Sequence, residues 1–214
     1  MKNSTLVCFA VKEEALEFGR ATQQRADVVT LITGMGRRNA ERAIRESLGK
    51  HRPALVLSCG FAGGLDRQLA SGAVIFSCDG EIVLQNKLLQ AGARPVRFHC
   101  AERVAPTAAE KAKLREKAGA DAVEMESEVI GAVCREHKIP FATVRVILDT
   151  ADEDLPLDFN QFMTGDDRMD FLKLVGAVLK SPRKIGALMK LQKQAQAAAA
   201  ALSRVLMQVL PQGS

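Results

Sequence analysis

The first half of the chain sets short apolar runs against segments of helical period. Leu6 to Val11 is a continuous apolar run, as in a strand buried on both faces, and helix-period residues follow from about Lys12 to Arg20. A second strand, Val28 to Thr33, runs into Gly34-Met35-Gly36 and then a helix through about Lys50. A third, Ala54 to Ser58, leads into the glycine cluster Gly60 to Gly64. This alternation predicts an α/β domain with a mostly parallel sheet.

The middle is less regular. Gly72 to Phe76 and Glu81 to Leu84 read as strands around a turn at Asp79-Gly80, a candidate hairpin. A helix is predicted to start near Thr107, where Thr107 and Glu110 have capping-box spacing. Ala122 to Glu124 reads as a short strand, Met125 to His137 as a helix stopped before Pro140, and Phe141 to Leu148 as the most strand-like run in the chain. After Pro156 the pattern is helical. Pro182 divides it, and the Ala-rich stretch Ala195 to Ala201 sits in an amphipathic last helix, Lys184 to Leu210. The expectation is one domain over residues 1–214, a central mixed sheet flanked by helices, with a helical C-terminal part from about residue 157.

Composition narrows the picture. With 214 residues, 47% of them hydrophobic, the chain can bury a large core. Trp and Tyr are absent, so a base cannot be held by extensive aromatic stacking. The net charge of +5 is spread among interleaved acids and bases such as Glu41, Arg42, Arg45 and Glu46. That reads as solvated surface, and no nucleic-acid partner is expected. Cys8, Cys59, Cys78, Cys100 and Cys134 form no Cys-x-x-Cys pair and no metal-ligand spacing with His51, His99 or His137. Neither a signal-peptide pattern nor an apolar run of membrane-spanning length is present, so the expectation is a cytoplasmic protein with reduced cysteines and no bound metal.

Ligands of parallel α/β sheets collect at the carboxyl ends of strands. Four such ends carry unusual residues: Glu13 and Glu14; Gly34 to Gly36 with Arg37 and Arg38; Gly60 to Gly64; and Asp149, four residues after Arg145. Taken singly, local structure explains each. Gly-x-Gly makes a tight turn, glutamates suit a first helical turn, Asp caps helices, and one of Glu124 and Glu126 can be a surface charge. A dinucleotide-binding oxidoreductase is disfavoured, because Gly34-Met35-Gly36-Arg37-Arg38-Asn39 lacks the third glycine of the fingerprint.

The set as a whole resembles a known family. Ala122-Val123-Glu124-Met125-Glu126-Ser127 followed by Val144-Arg145-Val146-Ile147-Leu148-Asp149-Thr150-Ala151-Asp152 resembles the late signature of the nucleoside phosphorylase/nucleosidase superfamily. Within it, the likeness is to bacterial 5′-methylthioadenosine/S-adenosylhomocysteine nucleosidases, and the C-terminal helices also resemble a hopanoid-associated nucleoside phosphorylase branch. Ala10 to Glu14, Thr33 to Gly36 and Ser58 to Leu65 match in order, so the resemblance touches most of residues 5–152.

The resemblance implies a nucleoside phosphorylase-like fold and cleavage of the N-glycosidic bond of a purine nucleoside. It places Asp149 as the acid at purine N7, Glu14 as the water-activating base, and Glu126 at the ribose hydroxyls with Met125 packing on the sugar. Glu124, Met35, Phe61, Ala62, Gly63 and Arg145 fall among the substrate-contacting positions. No cofactor is implied, and a homodimer or larger assembly is. A phosphate-dependent phosphorylase is the first alternative, with inorganic phosphate as co-substrate held by Gly36, Arg37, Arg38 and Arg145 together with the backbone amides of Gly60 to Gly64. A catalytically silent nucleoside-binding protein is the second. The chain departs from the family pattern in three places. Phe61 stands where a small hydroxyl residue is usual, and Leu148 where Ser commonly precedes the acid. The stretch between Phe76 and Ala122 lacks the segment whose aromatic stacks on the base, which leaves Val104 or Phe98 to meet it.

Overall fold

A computed structural model describes residues 4–78, 80, 82–162, 164 and 185–210. β1 (Thr5–Phe9) is buried along its whole length and lies between β2 (Val28–Ile32) and β3 (Leu55–Gly64), parallel to both. α1 (Lys12–Ala21) and α2 (Arg37–Leu48) follow the first two strands. β8 (Phe141–Asp149) runs parallel to β3 on the side away from β1, and β4 (Val74–Cys78) pairs antiparallel with β8.

The main path of the sheet runs β2-β1-β3-β8-β4-β5, with β5 (Arg94–Pro95) at one edge. β6 (Phe98–Cys100) and β7 (Ala122–Glu124) are attached off this path, where β7 runs antiparallel to the last residues of β3. Among the described residues the sheet is therefore mixed and has eight strands.

Strand periodicity splits the core into two layers. On one face Val7, Phe9, Leu57, Val144 and Val146 pack with Phe18 of α1 and with Ala198, Leu202 and Leu206 of α6 (Ile185–Val209). On the other, Leu6, Cys8 and Val56 meet Ile44 of α2 and Ile130 and Val133 of α5 (Ser127–Glu136). The Ala-rich stretch thus lies in a packed helix, its small residues allowing α6 to approach α1. α4 (Ala108–Ala118) starts where the capping spacing predicts, with Thr107 Oγ1 accepting from the Glu110 N–H at 3.2 Å.

Three local expectations are corrected. Ile82 to Leu84 open a helix, α3 (Ile82–Gln90), and no hairpin forms there; Asp79 and Glu81 lie outside the described residues. The helix wins because Leu84 and Leu88, four apart, reach the core together, while β4 finds its neighbour in β5. The glycine cluster is not a loop after β3 but its second half, paired with β8 through Gly63. Following Pro156, the described residues show only a 3₁₀ turn at Phe159–Phe162 before α6; the break expected at Pro182 lies outside them. Among the described residues no helix is long and apolar enough to cross a membrane, and no cluster of His, Cys, Asp and Glu is arranged to hold a metal ion.

Candidate active site

The register of β3 against β8 builds the site. Gly60 lies beside Arg145, and an irregularity between Ala62 and Gly63 brings Gly63 level with Asp149 while Leu148 is skipped. Glycine is needed at position 60 for two reasons. Its φ is +144°, and a Cβ there would stand 2.7 Å from both Arg145 Nη1 and Glu14 Oε1. The strand surface left bare by Gly60 is where Glu14 and Arg145 approach each other.

Glu14 sits in the first turn of α1. Its Oε2 accepts from the Ala10 and Val11 N–H groups at 3.1 and 3.3 Å, and its Oε1 from the Phe61 N–H at 2.8 Å. It therefore caps its own helix and also pins α1 to β3. Burial raises its proton affinity above the ordinary carboxylate range, and Arg145 with the three N–H donors offsets part of that rise. The partly buried Phe61 side chain packs against the core layer beneath α6.

Arg145 is 1% exposed and carries most of the electrostatic organisation. Its Nη2 donates to Glu124 at 2.8 Å, Ser58 Oγ at 3.1 Å and Glu126 at 3.3 Å. Burial opposes its charge, but Glu124, Glu126 and Glu14 hold it firmly protonated. Glu124 is saturated from within the protein: besides Arg145 it accepts from Glu126 N–H, Ser127 N–H and Ser127 Oγ at 2.9, 2.8 and 2.7 Å. With those bonds it caps α5 and balances Arg145, which leaves little of it to face a ligand. Glu126 is less fully engaged. One oxygen accepts from the Gly36 N–H at 3.0 Å, and burial, opposed by Arg145 and reinforced by Glu124, lifts its carboxyl to about 7.

The Gly36–Glu126 bond joins the loops after β2 and β7, which places Met35 and Met125, both partly exposed, on either side of the junction. The remaining members of the predicted phosphate set do not converge. Arg37 pairs with Glu128 at 2.8 Å on the surface, Arg38 is exposed, and Arg145 is enclosed by carboxylates. Among the predicted base contacts, Phe98 packs against a core cluster with Ile75 and Ile147. Val104 uses both of its backbone groups on the Asn160 carboxamide, at 2.9 Å each.

Asp149 ends β8 with a partner that sequence reasoning missed. Lys111 of α4 is fully buried, forms an ion pair with Asp149 Oδ2, and donates to the Thr150 and Glu153 carbonyls at 2.7 Å each. Burial still leaves the Asp149 carboxyl above its ordinary range, although Lys111 pulls it down. Nothing in the pattern singles Lys111 out, since it sits among five other charges in a helix of eleven residues whose apolar stripe is weak. Asn160 likewise leaves no signal, one polar residue in a stretch whose pattern reads as helix.

Comparison with known proteins agrees with this architecture. The family model of the phosphorylase superfamily matches residues 83–180, a span that includes Glu124, Glu126, Arg145 and Asp149. A curated 5′-methylthioadenosine/S-adenosylhomocysteine nucleosidase of Lysinibacillus sphaericus (strain C3-41) is 25% identical over 181 residues, covering 69% of this chain and 79% of that protein. Among solved structures, the Helicobacter pylori 5′-methylthioadenosine/S-adenosylhomocysteine nucleosidase bound to butyl-thio-DADMe-Immucillin-A superposes with a TM-score of 0.70 at 14% identity, over 97% of this chain and 99% of that one. The futalosine hydrolase of the same organism superposes with a TM-score of 0.68 at 14% identity, over 96% and 97%. Family model, curated relative and shared fold agree in direction: over residues 83–180 the chain is similar to the phosphorylase superfamily, and its fold is that of the 5′-methylthioadenosine/S-adenosylhomocysteine nucleosidase and futalosine hydrolase structures.

Proposed function

We propose that the protein hydrolyses the N-glycosidic bond of a purine nucleoside of the 5′-methylthioadenosine/S-adenosylhomocysteine type. The observation that carries this reading is the gathering of Glu14, Glu126 and Asp149 at one end of β3 and β8, each with its proton affinity raised by burial. Cleavage passes through a sugar with positive charge at C1′ and a base leaving with the bond's electron pair. Glu126 and Met125 hold the ribose, and the negative field of Glu14 and Glu126 favours the cationic sugar. Glu14 takes a proton from water as the water oxygen bonds to C1′. The C1′–N bond breaks towards the base, whose N7 receives a proton from Asp149. The step draws on side chains alone.

Hydrolysis is preferred to phosphorolysis because, among the described residues, the buried cation near Glu14 and Glu126 is Arg145, already enclosed by carboxylates and a poor seat for a phosphate dianion. The test is chromatographic detection of free base from methylthioadenosine, S-adenosylhomocysteine, 5′-deoxyadenosine, adenosine, inosine, futalosine and uridine, each with and without phosphate. Release without phosphate from the first two is the expected result. Release only with phosphate would make the enzyme a phosphorylase. Preference for futalosine or inosine would move the substrate to another purine class, and no release from any would favour a silent nucleoside-binding protein.

A further inference from the structure

Among the described residues Lys111 alone of the lysines is buried, and its ammonium spends its three donors on Asp149 and on the Thr150 and Glu153 carbonyls. A clamp for the turn after β8 would need only the two carbonyls. The third bond goes to the carboxyl that, in the glycosidase reading above, must deliver a proton. The charged groups facing Asp149 are Lys111 from α4 and Glu153 from the turn. Glu153 is in turn held by the Thr150 N–H at 3.0 Å and lies 3.9 Å from Lys190 of α6. From β3 the neighbours are uncharged, Gly63 and Gly64. A carboxylate ion-paired to an ammonium has no proton of its own to give, so the leaving base must draw on the pair.

We propose that Lys111 is a positioning residue that stores the proton Asp149 delivers. As the base departs, an Nζ–H bond of Lys111 breaks and the proton passes to the Asp149 carboxylate and on to the base nitrogen, which takes the electron pair of the broken C–N bond. Asp149 ends as the carboxylate it was, and Lys111 ends as a neutral amine. The proton that Glu14 takes from the attacking water balances the account, and Lys111 is recharged from solvent between turnovers. The inference rests on the glycosidase reading.

The test compares base release from the preferred nucleoside with 4-nitrophenol release from 4-nitrophenyl β-D-ribofuranoside, whose leaving group departs as a stable anion without protonation. In the wild-type enzyme the ratio of the two kcat/KM values is expected to stay level from about pH 5 through neutral pH, because the proton is held by the pair and not by the carboxyl alone. A decline centred below about pH 6, as for a carboxyl acting alone, overturns the proposal. In Lys111→Met the nucleoside limb moves to lower pH. Release falls at least tenfold at neutral pH and recovers towards wild type as the pH is lowered and Asp149, its proton affinity raised by burial, takes up a proton of its own, while nitrophenol release is unchanged at both. An equal, pH-independent loss on both substrates would mark Lys111 as a turn clamp only. Should Lys111→Met fail to fold, the wild-type nucleoside profile decides by the position of its limb. If the wild-type enzyme releases no base from any nucleoside, the glycosidase reading itself falls.

Discussion

Two buried charge arrangements lie at the same ends of β3 and β8, and they are balanced differently. Around Arg145 stand three carboxylates, Glu14, Glu124 and Glu126, with one of them already saturated by N–H and hydroxyl donors. Four residues along β8, Asp149 has a single cation, Lys111, matched to it one to one. The first arrangement leaves a surplus of carboxylates in a buried place, a field that stabilises a cation and repels phosphate. The second is neutral as a unit and can move a proton without creating net charge. In the proposed reaction positive charge develops on the sugar and negative charge on the base, so each arrangement stands where its own balance is useful. Burial disfavours all of these charges, and a protein selected for stability alone would gain by replacing them with apolar residues.

The largest expected effect comes from removing the acid. Asp149→Asn keeps the shape of the end of β8 but gives Lys111 no carboxylate, and base release is expected to fall by roughly 100- to 10,000-fold. Thermal unfolding followed by circular dichroism checks that the fold survives, and turnover equal to wild type would remove Asp149 from the mechanism. Arg145→Met breaks the other arrangement. With the guanidinium gone, Glu14, Glu124 and Glu126 remain buried together, and a loss of about 3–5 kcal/mol in chemical denaturation is expected. A cost near that of a surface pair would mean that backbone donors alone hold the carboxylates.

A pH effect of smaller size sharpens the contrast. The Glu126 carboxyl is raised from 4.5 to about 7, and burial is the main cause. Between those values the folded protein keeps a proton that the unfolded chain has released. The stabilising contribution is therefore complete below pH 4.5 and is lost as pH rises towards 7. The slope from this one group is at most about 1.4 kcal/mol per pH unit. Glu126→Gln removes it, so denaturation midpoints measured across that range are expected to fall less steeply in the variant. The same titration predicts that ribose recognition strengthens towards neutral pH in the wild-type enzyme and not in the variant. Parallel profiles for the two proteins would contradict both expectations.

How much of this was legible in the sequence depends on what kind of signal each residue left. The strand-to-helix alternation through Leu48 was readable because β1 and β3 are apolar runs and the helices have clear stripes. Glu14, Glu126, Arg145 and Asp149 stood out as a set only through the resemblance of their motifs to a known family. Their bonding was not legible, because it depends on the register that puts Gly60 beside Arg145, a pairing between strands about 85 residues apart. Ile82 to Leu84 misled because a three-residue apolar run has no period, and the helix shows only once Leu88 is counted. Lys111 was hidden by its neighbours in α4: charge in a helix reads as surface, and only the turn after β8, folding over it, makes it interior.

The smallest effect tests the outside of the site. Arg37 is 37% exposed at its side chain and paired with the still more exposed Glu128. Such pairs contribute roughly 0–1 kcal/mol, so Arg37→Met should barely move the denaturation midpoint. Its value lies in the enzymology. If the cation set at Gly36, Arg37 and Arg38 held a phosphate, the variant would lose phosphate-dependent base release and keep the phosphate-free rate. The geometry leads to the opposite expectation, because the Gly36 N–H is given to Glu126 and Arg37 points to α5. Both rates should stay within about twofold of wild type, a change of less than about 0.5 kcal/mol in transition-state binding. A selective loss with phosphate would show that the loop rearranges when substrate binds, and the surplus of carboxylates around Arg145 would then have to be relieved by protonating one of them, with Glu126 the first to take the proton.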